Sequence, residues 1–185
     1  MDYETTAVIT TIQKPTACVR KTCATLAKHG IPLLAMGDKK GPFEYDQPGA
    51  ELFTLSAQAE LPFQLAKILP DCHYTHKNLG YLVAISRGAK RIYETDDDNA
   101  PNDSWELRDE TTTVRRVSAP GWRNVYSHFT RENIWPRGLP LDRIRDAADM
   151  DDSPARSVRA PIQQGLANLS PDVDAVWRLA MDREF

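Results

Sequence analysis

The chain has no glycine-rich phosphate loop: neither G-x-G-x-x-G nor G-x-x-x-x-G-K-[ST] occurs in it. That argues against a dinucleotide site of the doubly wound type and against a P-loop nucleotidase. No G-x-S-x-G is present either, so serine hydrolase chemistry has little support. Cysteine is scarce: Cys18, Cys23 and Cys72 form no C-x-x-C pair and are odd in number. This predicts a reducing compartment and no disulfide framework. No apolar run approaches the roughly 18 to 20 residues needed to span a bilayer. The start, Met1-Asp2-Tyr3-Glu4, is acidic and lacks a leader's basic and apolar regions. A cytoplasmic protein without a membrane segment is therefore expected. Excess positive charge is missing too: the net charge is −3, which gives nucleic-acid binding no global support.

What is present is an ordinary globular composition, 41% hydrophobic and 26% charged over 185 residues, enough for a real core. Ala7 to Ile12 is a β-branched apolar run that predicts a buried strand. Pro15 sets up a helix start, Val19, Cys23 and Leu26 recur at helical spacing, and Gly30 fits the stop. Ile31 to Met36 predicts a second strand, ending in the polar loop Gly37 to Pro42. Residues 43–62 give no clear pattern, and Phe63 to Leu69 reads as a short helical stretch. His73 to Arg87 predicts a helix closed by Gly88, and Arg91 to Thr95 a strand. This alternation predicts an α/β fold with a mostly parallel central sheet flanked by helices.

Past Asn99 the texture changes. Thr111 to Val114 suits an edge strand or hairpin. Residues 118–141 predict ordered loops over a site, and Asp146 to Arg159 a polar surface segment. Gln163 to Leu169 reads as a further strand. Asp172 to Met181 predicts a short helix with Val173, Val176, Trp177 and Ala180 on one face. A single domain over 1–185 is expected, divided into a nucleotide-binding half, 1–99, and an acceptor-side half, 100–185.

The segment with the most chemical content is Asp96-Asp97-Asp98-Asn99. Adjacent carboxylates repel one another, and a divalent cation would relieve the repulsion. Ligands of open α/β sheets bind beyond the carboxyl ends of strands. Oxygen donors there suit Mg²⁺ or Mn²⁺ bridging to phosphates. The alternative is a solvated acidic turn. An EF-hand is excluded, since the positions that need Gly and Glu hold Pro101 and Leu107.

Lys77 and Asn78 sit on the helix leading into that strand, where a lysine would neutralise a diphosphate as a point charge. The loop Thr11 to Thr16 precedes a helix start, a setting that favours anions. His73 and His76, three apart, would share a helical face as zinc ligands but lack a third partner. Arg137, between two prolines in Trp135-Pro136-Arg137-Gly138-Leu139-Pro140, is stiffly held for a phosphate or carboxylate. A surface arginine in a turn is the plainer reading.

Several motifs occur together and in order. They are Ala7 to Lys14, Gly37-Asp38-Lys39-Lys40, Lys77-Asn78-Leu79-Gly80-Tyr81, Tyr93 to Asn99, Trp135 to Pro140, and Pro171-Asp172-Val173-Asp174-Ala175. The set resembles the STELLO-type glycosyltransferase candidates over about residues 7–180. Those are similar in turn to the plant reversibly glycosylated polypeptides, which act as UDP-arabinopyranose mutases.

The resemblance implies a GT-A-like nucleotide-sugar-binding fold with a DxD-type metal motif at Asp96, Asp97 and Asp98. Asp98 would be the direct Mn²⁺ or Mg²⁺ ligand, and Asp96 would serve the sugar or ribose and the metal. Thr11, Gln13, Lys14 and Asp38 would hold the uridine, and Lys77 with Asn78 the diphosphate side. Arg137 matches the arginine that becomes glycosylated in the reversibly glycosylated polypeptides. Asp172 and Asp174 match a late acidic motif, where one would act as the acceptor's base.

The expected activity is metal-dependent transfer from a UDP-sugar to a glycan or small acceptor. Two rivals stand beside it: a UDP-sugar mutase, and a silent nucleotide-sugar-binding partner of a polysaccharide synthase. Family members carry a membrane anchor ahead of this region, so a Golgi location applies if the chain is part of an anchored protein. A homo-oligomer is left open.

Overall fold

The computed structural model describes residues 4–117, 121–144, 154–169 and 172–181. The chain divides into two compact units, Met1–Trp105 and Glu106–Phe185.

The first unit opens with β1 (Thr5–Thr11), α1 (Ala17–Ala27) and β2 (Leu33–Gly37). Strand β3 (Ala50–Phe53), helix α2 (Leu55–Ala59), helix α3 (Lys77–Ser86) and strand β4 (Arg91–Glu94) follow. The sheet order is β3-β2-β1-β4, and each neighbouring pair is parallel. This is the α/β fold with a parallel, helix-flanked sheet that the sequence predicts, and it is consistent with a GT-A-like fold.

Both central strands are buried along nearly their whole length, which is why their sequences are continuous apolar runs and not alternating ones. On one face Val8, Leu34, Met36 and Phe53 pack with Leu79, Val83 and Ala84 of α3. Gly80 lets α3 lie this close: a Cβ there would stand 2.5 Å from Val8 Cγ1 and 3.1 Å from Met36 Cγ. The pleat turns Ala7, Ile9, Leu33 and Ala35 to the other face. There α1 contributes buried Val19, Cys23 and Leu26. Thr16, not Pro15, caps α1, its hydroxyl accepting from Val19 N at 3.1 Å.

Strand β3 and helix α2 form in the stretch that lacked a sequence pattern. Strand β3 is four residues long with only Phe53 buried, too short for an alternation to stand out. The stretch predicted helical over Phe63 to Leu69 is a 3-10 turn, Gln64–Lys67.

The second unit holds β5 (Thr111–Val114) antiparallel to β6 (Arg156–Arg159), and helix α4 (Ala175–Met181). The expected edge strand at 111–114 therefore finds its partner in a segment predicted as irregular surface. All four residues of β6 are exposed and two are arginines, so no apolar signal marks it. Residues 163–169 do not form the predicted strand. Its core is small: Tyr126, Ile134, Val173 and Trp177, with Trp135 against it. The predicted α4 face is half right, because Val173 and Trp177 are buried while Val176 and Ala180 are exposed. Among the described residues no helix is long and apolar enough to cross a membrane.

Candidate functional site

In this sheet the strand order runs outward from β1 to β2 and β3 on one side, then resumes at β4 on the other. The chain thus reverses direction across the sheet between β1 and β4. In open α/β sheets a crevice forms at such a point beyond the carboxyl ends of the strands. The residues ending those two strands are Thr11 and the turn Thr95 to Asn99.

They are joined directly. Thr11 Oγ1 donates to Asp97 Oδ2 at 2.6 Å, and Gln13 Nε2 donates to the same oxygen at 3.3 Å. The Thr16 hydroxyl donates to the Asp97 carbonyl at 2.7 Å. Thr22 Oγ1 lies 3.4 Å from the Asn99 carbonyl. The acidic turn is therefore tied along one side to the start of α1. Tyr45 adds a buried hydroxyl beside Thr11. Burial first, then charge on an ionised Cys23 and on Asp97, pushes the Tyr45 pKa up.

On the other side stands Lys77. Its ammonium donates to Glu94 Oε1 at 3.0 Å, the Thr95 carbonyl at 3.1 Å and Asp96 Oδ1 at 2.7 Å. Burial works against the charge, but the Asp96 and Glu94 carboxylates outweigh it and hold the Lys77 pKa above the ordinary lysine range. Burial and then Glu94 likewise raise the Tyr81 hydroxyl. Much of the repulsion expected among the acids is thus relieved by a side chain of the protein itself. Asn78, the next residue of α3, is exposed.

A pocket of about 280 Å³ opens beyond β1 and β2, lined by Thr10, Thr11, Asp38, His73, Tyr74 and Asp97 among others. Asp38 is fixed there by backbone donors: its Oδ1 accepts from Lys39 N at 2.6 Å and Cys72 N at 2.9 Å. No hydrogen bond to its second oxygen is found among the described residues, so that oxygen keeps its acceptor capacity. Lys14 lines a neighbouring hollow of about 410 Å³ with Ile12, Lys40 and Phe43. Phe43, 79% exposed, carries no mark in the sequence that separates it from an ordinary surface aromatic.

The two histidines do not form a metal pair. His76 is buried, with Nδ1 2.6 Å from Gln58 Oε1 and Nε2 3.1 Å from the Pro70 carbonyl. His73 instead caps the turn that starts at Tyr74. Gln58 in turn donates to the Gly37 and Phe53 carbonyls, locking α2 to the ends of β2 and β3.

Among the described residues no three His, Cys, Asp or Glu side chains are grouped to hold an ion by themselves. Asp96 is engaged by Lys77 and Asp97 by Thr11 and Gln13, while Asp98 is exposed and carries no such bond. One free carboxylate does not make a cage. It does fit Mg²⁺ or Mn²⁺ that arrives with a diphosphate, since such ions take one or two carboxylates and complete their shell with phosphate oxygens and water.

In the second unit the arginine loop and the late acidic motif meet. Arg137 Nη2 lies 2.7 Å from Asp172 Oδ1, and Arg137 N donates to the Asp172 carbonyl at 3.1 Å. Tyr126 Oη accepts from Asp172 N at 2.9 Å. Asp174 Oδ1 accepts from Val176 N at 2.8 Å at the start of α4, and Asp174 N donates to the Trp135 carbonyl. Pro171 lies outside the described residues. Arg137, Asp172 and Asp174 thus come together as one cluster, and the first-unit residues as another.

No protein-family model matches the chain. It is 32% identical to the "Probable glycosyltransferase STELLO2" of Arabidopsis thaliana over 163 residues, 80% of this chain and 21% of that protein. It is 31% identical to the "Probable glycosyltransferase STELLO1" of the same plant over an equal span. The likeness to the STELLO-type family seen in the motifs is borne out along four-fifths of the chain. The chain spans about a fifth of the length of the curated relatives it matches.

Proposed function

We propose that this chain carries the donor-binding part of a metal-dependent glycosyltransferase that uses a UDP-sugar. The observation that carries the reading is the polar pocket beyond β1 and β2, next to the strand reversal, with Thr11, Asp38 and Asp97 on its wall. Kinship with proteins named as probable glycosyltransferases supports the reaction class.

In this reading the free oxygen of Asp38 accepts a hydrogen bond from an N–H or O–H of the uridine. Thr11 and Gln13 hold Asp97 at the pocket wall, and Lys14 offers positive charge nearby. Mn²⁺ or Mg²⁺ would be held by Asp98 together with the diphosphate, with Asp96 beside it, and would stabilise the leaving group as a Lewis acid. In the transfer, the bond from the anomeric carbon to the diphosphate oxygen breaks and UDP leaves with the electron pair. A bond from that carbon to the acceptor oxygen forms, and the acceptor's proton passes to a carboxylate. The resemblance to the family makes Asp172 and Asp174 candidates for that proton; within the second unit Arg137 pairs with Asp172.

Titration of UDP into the chain with and without Mn²⁺, in the wild type and in Asp98→Ala, tests this. Mn²⁺ should tighten UDP binding by about tenfold or more, and the variant should lose that gain. Absence of UDP binding under every metal condition would overturn the reading. Acceptor-dependent UDP release distinguishes transfer from a mutase reaction.

A further inference from the structure

Lys77 was expected to reach a diphosphate, yet its surroundings leave it nothing to offer one. An ammonium has three N–H donors, and here three protein oxygens lie within 2.7–3.1 Å of it. The side chain is only 10% exposed, whereas its partners Glu94 and Asp96 are 55% and 61% exposed. The lysine is thus the buried member of the cluster, and the carboxylates are the members that meet solvent.

The place of the contact matters as much as the number of bonds. Strand β4 pairs with β1 only as far as Glu94 opposite Val8. The next backbone bond, Thr95 N to the Val8 carbonyl, is long at 3.4 Å. At that point Lys77 takes over, binding the Thr95 carbonyl and both flanking acids. Thr16 and Thr22 hold the same turn from α1. The acidic turn is therefore slung between two helices: Lys77 ties it to α3, and Tyr81 of the same helix meets Glu94 just before it.

We infer that Lys77 is a positioning residue that ties α3 to the end of β4 and fixes the Asp96 carboxylate, leaving Asp98 as the acid presented to a cation. This rests on the donor-site reading above. Removing the ammonium would leave Glu94 and Asp96 side by side without a counter-charge, and the turn would open to separate them. Arginine would not substitute fully. Its planar fork suits two parallel acceptors on one partner, not three oxygens gathered around a point.

The test has two arms on the full chain. In the first, amide hydrogen exchange is followed without ligand in the wild type, Lys77→Met and Asp96→Ala. The amides of Thr95 and Asn99, which donate to the Val8 and Asp96 carbonyls, should exchange about tenfold faster in either variant, while those of β1 and β2 keep their protection. The double variant should add little to either single one. In the second arm UDP is titrated over a series of Mn²⁺ concentrations. Lys77→Met should lose most of the Mn²⁺-dependent gain and keep the metal-free affinity, and Lys77→Arg should restore part of the gain.

Unchanged exchange at Thr95 and Asn99 overturns the inference. So does loss of metal-free UDP affinity with exchange unchanged, which would mean that Lys77 touches the diphosphate directly. If the wild type binds no UDP, the donor-site reading falls and the exchange arm still decides the role of Lys77. If Lys77→Met does not fold, Asp96→Ala carries that arm.

Discussion

The two units hold their candidate residues by different means. In the first, a parallel sheet with both central strands buried supplies a rigid frame, and the acidic turn hangs from its edge by side chains of two helices. In the second there is little sheet. The arginine loop and the late acids are held mainly by backbone bonds, Arg137 N to the Asp172 carbonyl and Asp174 N to the Trp135 carbonyl. Trp177, 1% exposed with Nε1 2.6 Å from the Asn133 carbonyl, anchors them. A large apolar frame tolerates polar side chains at its rim. A small core must place each loop with an individual anchor.

Removing the anchor should have the largest effect. Trp177→Ala is expected to cost about 3–5 kcal/mol in the second unit. Exchange protection around Ile134 and Val173 should be lost while β1 and β2 remain protected. Equal loss in both units would erase the contrast between them.

The frame should break differently. Gly80→Ala puts a methyl group into Val8 and Met36, and should destabilise the first unit by about 1–3 kcal/mol. Denaturant unfolding measures this, and Val8→Ala in the same chain should recover part of the loss. The relief identifies the clash, because a loss of helix propensity is not in play when alanine replaces glycine.

The smallest effect concerns the rim. The Arg87 hydrogen bond, opposed by partial burial and helped by charge, holds the Glu51 carboxyl below its ordinary value of 4.5. A depressed folded-state pKa contributes stability above the unfolded value, and that contribution is lost as pH falls through the folded one. Both side chains are about half exposed, so the effect should be about 0.5 kcal/mol or less. Glu51→Gln should flatten the slope of stability against pH below about 4.5, as read from denaturant midpoints.

What could be read from sequence follows the same division. Strands β1 and β2 were legible because burial on both faces leaves continuous apolar runs, and helices α1 and α3 because packing on one face leaves a 3.6-residue period; β4, only half buried, was legible from its place between the stop of α3 and the acidic turn. Strand β3 was missed because four residues with one buried side chain carry no pattern. Strand β6 was missed because its pairing with β5 is made by backbone groups, while its side chains are exposed and partly charged. The segment 163–169 forms no strand among the described residues; Gln163 is held through its side chain by the Asp109 and Ala160 carbonyls instead.

The acidic turn, Asp38 and the arginine loop were legible as motifs. Their partners were not: Asp97 meets Thr11 from 86 positions away, and Arg137 meets Asp172 across the second unit.

By itself the sequence determined the alternation of apolar runs that makes a parallel α/β sheet, and the presence of acids at the end of its last strand. Only the tertiary structure decided which acids are free. Lys77, 19 positions before Asp96, folds back from α3 and occupies its carboxylate, while Asp98 stays open. Apolar periodicity is written locally, because burial acts on each residue through its own side chain. The pairing of charges depends on distances that exist only after the sheet has brought the helices to its edge.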